Sequence, residues 1–186
     1  MTSSGVNRCY YCKKELFSRL KGMAARHGMR AVIDGTNFDD FKDIRYGMKA
    51  AKRLKVSSPL AEAEIGKPLI RKESRKRGLP TWDKPSFACL ASRIPFGEKI
   101  DDKILLKIDK AERYLRSLGL KQVRVRVHNR NMARIELDPD GLKNIFRLRK
   151  RVARRLKGLG IRYITLDLEG YRTGSMNEPF KKRLTY

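Results

Sequence analysis

Between Val123 and Leu137 the side chains alternate with a period of two. Val123, Val125 and Val127 share one face, Arg124, Arg126 and His128 the other, and Ala133, Ile135 and Leu137 repeat the pattern after Asn129-Arg130-Asn131. Only extended backbone sends successive side chains to opposite sides, so this stretch is constrained to an antiparallel hairpin with one apolar and one cationic face. The apolar face needs a cover, and helical patterns on either side supply it. Ile104, Ile108, Ala111, Leu115 and Leu118 form one stripe, begun by Asp101 or Asp102 as cap and closed by Gly119. Leu142, Ile145, Leu148, Val152, Leu156 and Leu159 form a second, and Ile164, Leu166 and Leu168 make a last strand. The order helix, strand, strand, helix, strand predicts an α+β module over residues 98–186, with helices on one face of a small sheet.

Residues 1–97 read differently. A helix over 12–27 is stopped by Gly28, and a short apolar strand over 31–34 runs into Gly35-Thr36-Asn37. A helix over 40–54, a strand and turn over 56–60, and a helix from Pro68 to Arg77, stopped by Gly78, follow. Strand alternating with helix is the signature of an α/β sheet with crossover connections. From Trp82 to Gly97 periodicity disappears, and an ordered loop there marks the domain boundary.

Lysine and arginine number 45 against 20 acidic residues, a formal charge of +25. Such a balance attracts polyanions without saying which; a solvated Lys/Arg-rich surface of the thermophile kind explains it equally well. With 40% hydrophobic residues wholesale disorder is excluded. No run approaches the ~18 apolar residues of a membrane span, and the polar start lacks the apolar core of a secretory signal. A soluble, cytoplasmic protein with no membrane role is expected. Residues 141–166 contain no acid but carry Lys143, Arg147, Arg149, Lys150, Arg151, Arg154, Arg155, Lys157 and Arg162. That block is either a solvated helix face or a surface for a polyanion or partner.

Three cysteines make a disulfide framework improbable and metal or redox chemistry the better question. Cys9 and Cys12 form a CxxC pair at a helix start, where unsatisfied N–H groups and the helix dipole favour the thiolate. Zinc ligation, a thiol–disulfide couple and part of an iron–sulfur site all suit such a pair. A structural zinc site needs more ligands, and His27 and His128 are the only histidines; a redox couple lacks the expected apolar strand before it. Cys89 lies in the 82–93 loop. Beside Cys9 and Cys12 it would complete a three-thiolate site; alone it packs as a small hydrophobe.

Arg124 and Arg126 can converge their guanidinium forks on one phosphate, with Glu112 of the preceding helix within reach. The competing arrangement is a surface ladder in which Arg124, Arg126, Arg134 and Glu136 pair across the hairpin.

Six motifs in order then resemble the LarE family: Cys-Tyr-Tyr-Cys-Lys-Lys (9–14), Asp-Gly-Thr-Asn (34–37), Ala-Cys-Leu-Ala-Ser-Arg-Ile-Pro-Phe-Gly (88–97), Val-Arg-Val-Arg-Val-His (123–128), Ala-Arg-Ile-Glu (133–136) and Leu-Asp-Leu-Glu-Gly-Tyr-Arg-Thr-Gly-Ser-Met-Asn (166–177). The resemblance implies a sulfur transferase of the PP-loop superfamily acting in synthesis of the nickel-pincer nucleotide. In it, a carboxylate of a pyridinium dicarboxylate mononucleotide is adenylated with ATP and Mg2+ and converted to a thiocarboxylate. It further implies that Cys9, Cys12 and Cys89 hold a 4Fe-4S cluster whose open iron carries the sulfide. Arg124 and Arg126 become the clamp on the nucleotide phosphate, and Ser92, Arg93 and Glu112 line the same pocket. A homo-oligomer is implied as well.

One departure is large. The family's ATP-binding half opens with a Ser-Gly-Gly-x-Asp-Ser phosphate loop, and Ser3-Ser4-Gly5 lacks both its second glycine and its Asp-Ser. The chain is therefore expected to correspond to the C-terminal two-thirds of such an enzyme, with an incomplete PP-loop parallel sheet. The cradle for the triphosphate would come from a separate PP-loop polypeptide, or the reading frame is truncated. The other function class kept open is a basic RNA-binding or RNA-thiolation subunit, motivated by residues 143–157.

Overall fold

The computed structural model describes residues 5, 7–42, 46–84, 88–172 and 174–175. The chain is mixed α/β and divides into two compact units between residues 85 and 86.

In the N-terminal unit, helix α1 (Arg8–Arg26) begins earlier than its apolar spacing predicts, which puts the CxxC pair inside the helix. Gly28, at φ +66°, closes it as expected. The strand expected over 31–34 is reduced to one parallel bridge, Ile33 to Ser57, fixed by the Asp34 N–H on the Ser57 carbonyl at 2.9 Å and the Ser57 N–H on that of Val32 at 3.2 Å. The helix expected over 40–54 is a 3-10 turn, Phe38–Lys42, and helix α2 (Tyr46–Arg53), with 43–45 outside the described residues. Pro59 opens the short helix α3 (Pro59–Glu62), where strand and turn were expected. Helix α4 (Lys67–Lys76) has Pro68 in its first turn and Gly78, at φ +69°, beyond its end. Phe17, Ala51 and Val56 form a small core, joined by Leu20, Val32 and Leu54.

The C-terminal unit holds the larger core. A 3-10 turn, Leu90–Arg93, precedes helix α5 (Asp102–Ser117), whose Asp101 cap accepts from the Ile104 N–H at 3.0 Å. Strands β1 (Val123–His128) and β2 (Met132–Leu137) pair antiparallel with Val125 opposite Ile135. Asn129 and Arg130, both at positive φ, make the tight connection that matches strand twist. Helix α6 (Pro139–Gly158) then crosses to β3 (Tyr163–Leu166), which lies parallel to β2. Strand order is β1-β2-β3, so β1 is an edge. Val123, Val125, Val127, Ala133, Ile135 and Leu137 are all at most 2% exposed and pack with Ile108, Leu115, Val152 and Leu156 of α5 and α6. The alternation predicted through Leu168 stops at Leu166; Leu168 is 84% exposed because the chain turns at Asp167.

Candidate functional site

The second face of the hairpin is buried too. Arg124, Arg126 and Glu136 are each at most 5% exposed, so the cross-strand ladder of charges, expected on the surface, forms in the interior. Charged groups removed from water require partners, and this face supplies them in a connected set.

Arg93 is the first anchor. Its Nε and Nη2 donate to the two carboxylate oxygens of Glu112 at 2.8 and 3.3 Å, with both side chains 1% exposed. Its remaining nitrogen, Nη1, donates to the carbonyls of Ala88 at 2.9 Å and Cys89 at 3.2 Å and to Ser92 Oγ at 2.9 Å. The Ser92 N–H and hydroxyl also reach the Cys89 carbonyl, at 2.9 and 2.7 Å. The backbone of Cys89 is thus held by one buried guanidinium, while its thiol is free and exposed. Glu112 does more than balance Arg93. It accepts from Arg116 Nη2 at 2.5 Å and from the Val125 N–H on the edge of β1 at 3.1 Å, so helix, strand and loop meet at one carboxylate.

Arg126 is the second anchor. Nε and Nη2 pair with Glu136 at 3.0 and 2.8 Å, Nη2 also donates to Ser175 Oγ at 3.1 Å, and Nη1 donates to the Ser92 carbonyl at 2.8 Å. The Ser175 hydroxyl donates to Glu136 at 2.9 Å. Arg134, beside Arg126 across the strands, reaches Asp167 at 2.6 Å and Glu136 at 3.3 Å. Arg124 lies over the Tyr171 ring, 5.2 Å from its centroid, and donates to the Val123 carbonyl at 2.9 Å. Burial first, and then the neighbouring charge of Arg93, hold the Arg124 guanidinium below its ordinary pKa, with Tyr171 and Glu112 offsetting part of the effect. Arginines outnumber carboxylates here, so the site presents a positive field to an anion.

Five of the eight residues singled out from sequence, Cys89, Ser92, Arg93, Glu112 and Arg126, therefore belong to one hydrogen-bonded network, and Arg124 lies on the same strand face as Arg126, over the Tyr171 ring. Cys9 and Cys12 belong to the N-terminal unit, three positions apart in the first turns of α1, both free and exposed. Neither unit, taken alone, gathers three His, Cys, Asp or Glu side chains able to hold a metal among its described residues. Three exposed thiols are soft donors of the kind that iron–sulfur centres use, so the donor chemistry fits such a group.

Near the start of the Asp-Gly-Thr-Asn loop, Asp34 accepts from Ser58 Oγ at 2.7 Å, Thr36 Oγ1 at 2.8 Å and the Thr36 N–H at 3.0 Å, and lies 3.5 Å from Lys13 Nζ. Burial pushes the Asp34 pKa up, but these hydrogen bonds and the Lys13 charge outweigh it and hold the carboxyl below its ordinary value.

Asp167, Tyr171 and Ser175 carry no role in the sequence reading, although they lie in its last motif. A strand ending in Asp-Leu-Glu-Gly signals a turn, and a turn there folds the following residues back over the arginine face. Glu136 was legible as the only acid on that face of β2.

No family model matches the chain. It is 44% identical over 183 residues to an uncharacterized protein of Synechocystis sp., covering 97% of this chain and 68% of that protein. It is 41% identical over 173 residues to the pyridinium-3,5-bisthiocarboxylic acid mononucleotide synthase of Lactiplantibacillus plantarum, covering 93% and 62%. A third relative, an uncharacterized protein of Methanocaldococcus jannaschii, is 32% identical over 166 residues, covering 89% and 64%. The chain spans roughly two thirds of the length of these curated relatives. The similarity extends over nearly the whole of this chain in each case and agrees with the resemblance of its six motifs to the LarE family.

Proposed function

We propose that this chain carries the sulfur-insertion and nucleotide-binding part of an enzyme that converts carboxylates of a pyridinium dicarboxylate mononucleotide to thiocarboxylates in nickel-pincer nucleotide synthesis. The observation that carries the reading is the buried, arginine-rich network beneath Cys89, in a chain 41% identical to a synthase named for that product.

A carboxylate resists attack until it carries a leaving group; its oxygen attacks the α-phosphorus of ATP, bound with Mg2+, to give an acyl adenylate and pyrophosphate, and AMP then leaves when sulfur attacks the acyl carbon. The PP-loop fold and its phosphate cradle belong to this reading, and the sequence contains no Ser-Gly-Gly-x-Asp-Ser run to provide the cradle. The cradle is assigned to polypeptide outside this sequence, joined to it or separate. Within the chain, Arg124 and Arg126 provide the field that draws the nucleotide phosphate, Arg126 also binding Glu136 and the Ser92 carbonyl. Arg93, charge-balanced by Glu112, positions the backbone of Cys89, and Ser92 closes the same turn. Cys9, Cys12 and Cys89 would hold a 4Fe-4S cluster. When bound, it would supply an iron without a protein ligand, able to carry exchangeable sulfide.

The test is anaerobic purification with analysis of iron, zinc and acid-labile sulfide, for the chain and for Cys9→Ser, Cys12→Ser and Cys89→Ser. About four irons per chain, lost in each variant, is expected; zinc with little iron sinks the cluster assignment. Binding of the mononucleotide, read by calorimetry, is expected to weaken at least tenfold in Arg124→Ala, and an unchanged affinity removes the arginine clamp.

A further inference from the structure

The sulfur-transfer reading makes no use of helix α6. Its inner side is buried along its length through Ile145, Val152 and Leu156. Its outer side carries Lys143, Arg147, Lys150, Arg154 and Lys157, all exposed and spaced four, three, four and three residues apart. That spacing keeps them on one stripe, about 21 Å long at 1.5 Å per residue. The one acid on the helix, Asp140, lies 4.0 Å from Lys143. Among the described residues, Arg147, Lys150, Arg154 and Lys157 have no ion-pair partner. Phe146, 61% exposed, interrupts the stripe beside Lys143 and Lys150.

Like charges at these spacings repel and weaken the helix that bears them, so the stripe does not serve the helix itself. It also differs from a thermophile ion-pair surface, which interleaves both signs. A lipid surface is disfavoured, because the apolar side that would enter it is already in the core. A duplex is disfavoured because its bases are already stacked on one another and offer no open face to Phe146. We propose that α6 is a docking surface for single-stranded RNA, its cation stripe following the phosphates and Phe146 stacking a base. Arginine forks match phosphate oxygens, and an exposed aromatic ring among cations is the platform that unstacked bases use. The proposal is independent of the sulfur-transfer reading.

The test is fluorescence anisotropy of a labelled RNA of mixed sequence, about fifteen nucleotides long, with the full chain across a salt series. Five phosphate contacts predict a slope of log K against log salt near −3.5, at about 0.7 per contact. Arg147→Ala/Arg154→Ala is expected to reduce that slope by about 1.4. Phe146→Ser is expected to weaken binding about tenfold with the slope unchanged. Lys72→Ala/Lys76→Ala on α4 removes the same charge elsewhere and is expected to change affinity less than about twofold, as phosphate contacts rather than net charge set the binding. Equal losses in the α4 and α6 variants would overturn the proposal. So would polyglutamate competing as well as RNA at equal charge, or a duplex binding as tightly as the single strand. Circular dichroism of each variant confirms folding, since every substituted side chain is exposed.

Discussion

Arg93 and Glu112 meet edge to edge, two nitrogens on two oxygens at 2.8 and 3.3 Å, with both side chains 1% exposed. A pair so placed costs much to desolvate and more to break, because the survivor keeps its charge without its partner. Glu112 also serves Arg116 and the Val125 N–H, so this carboxylate joins α5, β1 and the loop that carries Cys89.

Glu112→Gln keeps the shape and removes the charge. The prediction is a loss of about 3–5 kcal/mol in urea unfolding, the range for a buried pair deprived of one member. A change under about 1 kcal/mol would show that water or rearrangement replaces the pair, and Glu112 would lose its joining role.

Arg93→Lys keeps the charge and loses the fork. A single ammonium cannot span both Glu112 oxygens and the carbonyls of Ala88 and Cys89. Hydrogen exchange at the Ser92 and Ile94 amides, which bond to Cys89 and Ala91 in the native turn, should accelerate at least tenfold, with the α5 amides little changed. Uniform acceleration in both places would mean global destabilisation and no positioning of the cysteine loop.

The burial of Arg93 was not legible from its own residue type, since arginine is rarely buried and nothing in Ala-Ser-Arg-Ile marks an interior. Glu112 did carry a signal: it falls four residues after Ile108, on the stripe that faces the sheet. The period-two hairpin and the capped helices around it were legible because local geometry alone generates those patterns. The segment 31–34 was not, because a strand is made by its neighbours. With a single bridge to Ser57, Ile33 remains 66% exposed, and β propensity has nothing to complete it. Tyr171 and Ser175 reach the arginines only because the chain reverses after Asp167, a tertiary event signalled by little more than Gly170.

Gly170 makes that reversal. It stands at φ +70°, and a Cβ there would lie 2.7 Å from the Leu137 carbonyl oxygen, backbone that cannot rotate away. Gly160, at φ +76°, has the same left-handed backbone, but its Cβ would meet only Lys107 Nζ, at 3.5 Å. Gly160→Ala should therefore cost about 1 kcal/mol, and Gly170→Ala at least 1–3 kcal/mol more, roughly the scale of added backbone strain. Equal costs in thermal unfolding would mean that the turn shifts freely and that the Tyr171 contact with Arg124 does not depend on it.

His128, at the end of β1, has its pKa lowered, first by burial and next by the charge of Arg134; Arg126 adds to the shift, and Glu98 and Glu136 partly oppose it. The folded chain therefore binds this proton less readily than the unfolded chain, whose histidine titrates near pH 6.5. Between the lowered value and about pH 6.5 the unfolded state holds more protons, so stability rises with pH across that window and falls as acid protonates the unfolded chain. Urea midpoints between about pH 5 and 8 should show this slope in the native protein and a reduced one in His128→Asn. A slope of the same size in the variant would assign the pH dependence to groups other than His128.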